Sequence, residues 1–231
     1  MIRNTAVIPL KDNIPTRTFP IITVSIIFVN IIIFLWQRFA LEPGAAAMLY
    51  SYYGLVPHEI VTSALGRYDL FPYNLMTVFT SMFLHGGFLH IIGNMLYLWI
   101  FGNNIEDRLG HIRFFFFYFV AGVFAAAFQV FYDPSSEVPM IGASGAVSGV
   151  LGAYLVSYPR ARVKTLLIIF IFIKIVEIPA IVLLTIWFFM QFLYAGMDGI
   201  AWYAHVGGFI FGLVCAWLFT LRSDRQRAAR A

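Results

Sequence analysis

Charged residues divide the chain into long uncharged apolar stretches, and the lengths of those stretches predict its elements. No charge occurs in residues 18–37, 86–101, 114–132, 138–159, 178–197 or 199–221. A helix rises 1.5 Å per residue, so crossing a bilayer core takes about 20 apolar residues, with roughly 17–25 tolerated. Backbone groups in lipid must pair within their own segment, which predicts six helical spans. Strand alternation is not evident, which argues against a barrel. Residues 165–197 exceed one crossing; Lys174 and Glu177 interrupt them, and Pro179 suits a first helical turn. The fifth span is therefore expected to start near Pro179, with 165–176 lying along the membrane surface. Residues 39–85 form a long connection rich in Tyr and Phe, expected to lie partly in the headgroup region as short helices.

Composition strengthens this reading. The 231 residues are 61% hydrophobic and 11% charged, with a mean hydropathy of +0.84, whereas soluble domains carry about 25% charged residues. Too few charges exist to cover a water-facing surface, so a multi-pass membrane protein is expected. Thirteen of the fifteen Lys and Arg residues fall on one side of the six-span arrangement; Arg38 and Arg67 are the other two. The Lys/Arg excess marks cytoplasmic loops, so both termini are expected in the cytoplasm. The organisation is one domain over 1–231: a cytoplasmic segment 1–17, a bundle 18–221 and a basic tail 222–231. The tail reads as a topology anchor, and the net charge of +4 is not a nucleic-acid patch. No small-residue cleavage site follows Trp36, so the first span is expected to be retained. The single cysteine, Cys215, can form no internal disulfide.

Polar residues inside a membrane are costly and are functional candidates by default. On this topology His90 and Asn94 on the second span, Ser144 at the start of the fourth and His205 on the sixth share one depth, near the outer face. His90 and Asn94 are spaced i, i+4 and lie on one helix face. A hydroxyl, two imidazoles and an amide at one level supply the parts for acyl transfer. Serine needs an adjacent base to become nucleophilic, and imidazole suits that work near neutral pH. Amide, imidazole and backbone N–H donors could hold an oxyanion. The external acids are assigned to loops, and of these Asp198 alone is near His205 in sequence, so a Ser–His dyad is the simpler expectation. Ser148, one turn after Ser144, is a rival nucleophile. His85 is a rival base, on a different face from His90. No His-Glu-x-x-His pattern supports a zinc site. Gly145 with Gly149, and Gly208 with Gly212, are small-residue pairs that would let the fourth and sixth spans approach closely. Glu106 and Arg108 are expected to pin the cytoplasmic connection, and His58 and His111 are read as loop residues without function.

Four motifs occur in order: His85-Gly86-Gly87 with His90 through Asn94, Phe101-Gly102-Asn103-Asn104-Ile105-Glu106-Asp107 through Gly110, Gly142-Ala143-Ser144-Gly145, and Ala204-His205-Val206-Gly207-Gly208 through Gly212. Together they resemble the rhomboid intramembrane serine proteases over about Pro15 to Gly212. The resemblance implies an all-α, six-transmembrane-helix bundle with a water-filled cavity opening outward. It implies Ser144 as nucleophile, His205 as general base, and His90 and Asn94 as oxyanion helpers. It further implies cleavage of single-span membrane proteins near the outer face, no cofactor, and a multi-pass place in a cell membrane of the compact prokaryotic type. A catalytically silent relative that only binds membrane clients is the alternative. One departure stands out: Ser148 occupies a position where some members carry an aromatic that packs on the base.

Overall fold

The computed structural model describes residues 5–42, 44–193 and 200–228, with side chains described as far as Thr220. Helices occupy all six predicted apolar stretches: α1 (Ile21–Phe39), α5 with α6 (Phe88–Tyr97, Asn103–Leu109), α7 (His111–Tyr132), α8 (Ser144–Ser157), α9 (Ala180–Leu193) and α10 (Trp202–Ala228). A π-helical turn at Leu98–Gly102 joins α5 to α6 as one rod. Short helices α2 (Ala45–Tyr53), α3 (Pro57–Leu65) and α4 (Phe71–Thr80) fill the long connection, as its composition predicts. Among the described residues, three helical segments are long and apolar enough to cross a membrane: α1, α7 and Trp202–Thr220 of α10. The rod Phe88–Leu109 joins Phe71–Phe83 at a bend of 84° and would be a fourth, while α8 and α9 are shorter apolar helices.

The expectation of an all-α chain needs correcting. Residues Thr5–Asp12 (β1), Arg162–Ile169 (β2) and Phe172–Pro179 (β3) form an antiparallel sheet in the order β1-β2-β3. The segment 165–176, expected along the membrane surface, thus has the form of a two-stranded hairpin. Its Val, Ile, Thr and Phe content favours strand, and two eight-residue arms separated by two residues are the spacing of a hairpin. Hydrogen bonds from Ala180 N to Ala161 O (2.8 Å) and from Ile181 N to Pro159 O (3.1 Å) fix the hairpin's feet beside α9.

Three carboxylates tie this end of the molecule together. Glu106, fully buried on α6, accepts from Ile22 N (2.9 Å), Thr23 N (2.8 Å) and Thr23 Oγ1 (2.7 Å). It thereby satisfies N–H groups that a helix start leaves without partners, and it also meets His111 Nδ1 at 2.6 Å. Glu106 therefore pins the connection as expected, and His111 is not idle: it opens α7 and joins the same cluster. The neighbouring Asp107 accepts from Thr18 N (2.8 Å) and Thr18 Oγ1 (2.7 Å). Asp12, at the end of β1, accepts from Asn104 Nδ2 (2.6 Å) and from the Tyr154 hydroxyl, locking the strand onto the bundle. Burial raises the Asp12 carboxyl above its ordinary range, against the opposing hydrogen bond from Tyr154.

The core is closest around α8 and α10. A β-carbon on Gly208 would collide with the Gly145 carbonyl oxygen, and one on Gly212 with that of Gly149. The absence of side chains at these two positions lets the helix backbones touch, the packing that small residues permit in lipid. On the opposite side, a β-carbon on Gly149 would lie 2.6 Å from that of Ala121 on α7. The paired glycines seen in the sequence are thus the contact surface that sets Ser144 beside α10.

Candidate active site

Ser144 is the first residue of α8, and the chain reaches it in an extended course rather than as helix. Leu55 and Met140 pair as an isolated antiparallel bridge, and Gly142 N donates to Ser81 O at 2.8 Å. The chain between α7 and α8 is thereby tied to residues of the long 39–85 connection just before α8 begins. Gly142 has φ of +116°, and a β-carbon there would sit 2.6 Å from His90 Nε2 and 3.5 Å from Asn94 Nδ2. Glycine is required on both counts: the left-handed backbone and the close approach.

The structure brings the predicted residues together. Ser144 Oγ lies 2.8 Å from His205 Nε2 across the α8–α10 contact. His205 Nδ1 lies 2.8 Å from Gln191 Oε1 on α9. The Gln191 amide is oriented by its own Nε2, which donates to Trp187 O at 2.8 Å. With the amide so held, Oε1 can only accept, so Nδ1 carries the imidazole proton. Nε2 is left with its lone pair toward the serine, the tautomer a general base needs.

His90 and Asn94 stand on α5 facing Gly142. Gly86 N donates to His90 Nδ1 at 3.4 Å, which leaves Nε2–H as the donor on the cavity side. Asn94 Nδ2 lies 3.0 Å from His85 Nε2, so His85 orients the amide and leaves its second N–H free to point elsewhere. His85 is fully buried, and its Nε2 meets Asn94 rather than Ser144. Ser148 is fully buried and donates to its own helix at Ser144 O (2.6 Å), away from His205. Asp198 lies outside the described residues.

A cavity of about 680 Å³ opens over the cluster, lined by Ser144, His205, His90, Asn94 and Gln191. Two contributors were not anticipated from sequence. Gln191 holds His205, and Trp187 lies with its ring centroid 6.3 Å from the imidazole. Trp187 supplies from α9 the aromatic neighbour that Ser148 does not supply from α8. The signal for Gln191 was present, because it is the one amide in the fifth apolar stretch, near the depth of the other polar residues.

The chain is similar to known proteins over most of its length. The rhomboid domain family model matches residues 72–222. Rhomboid protein 1, mitochondrial, of Saccharomyces cerevisiae is 26% identical over 215 residues, covering 89% of this chain and 55% of the yeast protein. Rhomboid protease GluP of Bacillus subtilis is 31% identical over 137 residues, 59% of this chain and 24% of that protein. RHOMBOID-like protein 1 of Arabidopsis thaliana is 26% identical over 194 residues, 80% of this chain and 44% of that protein. The aligned regions span only about half or less of these relatives. The family match covers the helices that carry Ser144, His205, His90, Asn94 and Gln191, and on that match the chain belongs to the rhomboid family of multi-pass membrane proteins, whose members are mostly intramembrane serine proteases.

Proposed function

We propose that this chain is an intramembrane serine endopeptidase that cuts single-span membrane proteins near the outer membrane face. The observation that carries the reading is the 2.8 Å approach of Ser144 Oγ to His205 Nε2, with Nδ1 held by Gln191. In the reaction, His205 Nε2 takes the hydroxyl proton as Ser144 Oγ bonds to the substrate carbonyl carbon. The oxyanion then faces the Asn94 amide, the His90 Nε2–H and the Ser144 N–H, which has no intrahelical acceptor in the first turn of α8. His205 next passes its proton to the departing amine, and the peptide bond breaks to leave an acyl-serine. Water entering the cavity, deprotonated by the same Nε2, releases the second product. Gln191 takes the place an acid fills in a triad: it fixes the tautomer without adding a charge.

The reading includes six crossings, both termini on the cytoplasmic side, and one domain over the whole chain. Helices α8 and α9 have 14 residues each, about 21 Å at 1.5 Å per residue against a core of about 30 Å. Non-helical backbone at membrane depth is tolerated where it lines a water-filled cavity, and the extended approach to Ser144 is such a segment. The membrane is a cell membrane of the prokaryotic kind, and no cofactor takes part.

Labelling with a fluorophosphonate probe, alongside cleavage of a single-span reporter in liposomes, tests the function. Ser144→Ala and His205→Ala should each abolish both signals while the protein stays folded, and Ser148→Ala should keep both. Wild-type protein that binds the reporter without cutting it or taking the probe would instead identify a silent client-binding relative. A cysteine at Glu137, in a background lacking Cys215, tests the topology. An impermeant maleimide should reach it from outside.

A further inference from the structure

The hairpin of β2 and β3 has a composition that its packing does not explain. Leu166 through Ile173 are eight consecutive apolar residues, although successive strand residues face opposite sides of a sheet. A sheet packed on one face alternates apolar with polar; an unbroken apolar run belongs to strands with both faces out of water. Here the tip is bare. Phe170, Ile171, Phe172 and Ile173 are 67, 86, 73 and 70% exposed, whereas Val163 and Thr165 at the foot are fully buried.

The turn itself is made of Phe170 and Ile171. Phe170 has φ of +54°, in the left-handed region where a two-residue hairpin normally uses Asn, Asp or Gly. The chain therefore keeps an aromatic in a strained turn at a tip that is apolar on both faces. A protein partner seated on one face, or a strand added at the free edge of β3, would leave the other face wet. Lipid can surround the tip from both sides.

Charge lies where such a tip would need it. Lys174 pairs across the hairpin with Leu167, Lys164 with Glu177, and Lys11 of β1 with Lys164. Lys174 is exposed beside the apolar tip, and Lys11 and Lys164 are exposed at the foot of the hairpin, where it meets the bundle. An apolar insertion backed by lysines is the pattern of an interfacial segment on anionic lipid. The chain also passes directly from β3 into α9, whose Ile181, Val182, Ile186 and Phe189 continue the exposed apolar surface.

We propose that the β2–β3 hairpin is an interfacial lipid anchor, with residues 168–173 in the acyl–headgroup boundary of the bilayer that holds the bundle. Lys11, Lys164 and Lys174 then meet anionic headgroups. Depth is limited by the free edge of β3, because an open sheet edge cannot enter the hydrocarbon core. The tip therefore lies shallow, at the level of carbonyls and bound water. This proposal needs only the membrane location, not proteolysis.

The test uses full-length Ser144→Ala protein lacking Cys215, with Ile171→Cys carrying an environment-sensitive fluorophore. It is reconstituted in phosphatidylcholine vesicles with and without phosphatidylglycerol. The expected result is a blue shift relative to detergent, protection from aqueous iodide, and stronger quenching by shallow than by deep nitroxide lipids. Phosphatidylglycerol should enlarge the shift, and Lys164→Gln with Lys174→Gln should remove that enlargement. Emission that stays at its aqueous position and is quenched by iodide in vesicles would overturn the proposal. So would lipid-independent energy transfer between differently labelled copies, the mark of pairing through β3. As a folding control, Phe170→Asn with Ile171→Gly should raise thermal stability in detergent by relieving the turn.

Discussion

Replacing Gln191 with leucine isolates the contribution of the amide that holds the His205 imidazole. The side chain is buried, so leucine, close to it in volume, leaves the packing of α9 nearly unchanged. What is lost is the acceptor 2.8 Å from His205 Nδ1. A buried donor without a partner costs about 1–3 kcal/mol. That cost falls on the tautomer with its proton on Nδ1, the one able to accept from Ser144. The opposite tautomer escapes part of the cost but presents an N–H to the serine and cannot act as base. Converted at 1.36 kcal/mol per tenfold, the loss in kcat is about 5–150-fold. KM should stay nearly constant, since the scissile bond is bound by other groups. Gln191→Asn, too short to reach Nδ1 from the same backbone position, should fall with leucine. The assay is reporter cleavage in proteoliposomes together with the rate of fluorophosphonate labelling, which reads serine nucleophilicity without a peptide substrate. A labelling rate equal to wild type alongside a lowered melting temperature would refute the reasoning, because Gln191 would then be only a packing residue.

Three further outcomes are expected. Asn94→Ala should lower kcat by about 10²–10³ with little change in KM, as loss of an oxyanion donor does; full turnover with weaker binding would contradict its role. Gly212→Val forces α8 and α10 apart at the Gly149 carbonyl, so thermal melts should show a loss of about 1–3 kcal/mol or more, with activity falling because Ser144 and His205 separate. Asp12 binds its proton more readily in the folded chain than in the unfolded one, since its carboxyl is raised by burial. Its contribution is therefore fully present below the unfolded carboxylate pKa and is lost as pH rises through the higher folded value. Melts taken across that acidic range should show wild type gaining on Asp12→Asn as pH falls; parallel curves would exclude the linkage.

How much of this was legible in the sequence differs between elements. The charge-free stretches located every long helix, because lipid penalises a charge wherever it falls along a helix. The depth argument brought Ser144, His205, His90 and Asn94 to one level, and the glycine pairs foretold the α8–α10 contact. The sheet was not legible. With both faces apolar toward the tip of the hairpin, Leu166–Ile173 carries no alternation, and a short unbroken apolar run does not distinguish strand from helix. Strand β1 was hidden for another reason: its pairing partner lies more than 150 residues away in sequence, so no local pattern reveals it. Gln191 was overlooked because an amide among Phe and Trp residues belongs to no motif. Its role follows only once α9 is seen beside His205.

The Glu106 joint also orders events in time. The N–H of Ile22 finds its acceptor 84 residues further along the chain. At about 5–20 residues per second, ribosomal synthesis leaves that helix start uncapped for roughly 4–17 s. During this interval the start of α1 must borrow partners from water or headgroups, and it becomes fixed only when α6 arrives. Strand β1 waits longer still, since Asp12 needs Tyr154, 142 residues later, and its ladder needs β2. Strand β1, made before the helices it joins, is thus among the last of these elements to dock, and its closure against the sheet signals that the helices before β2 are already in place.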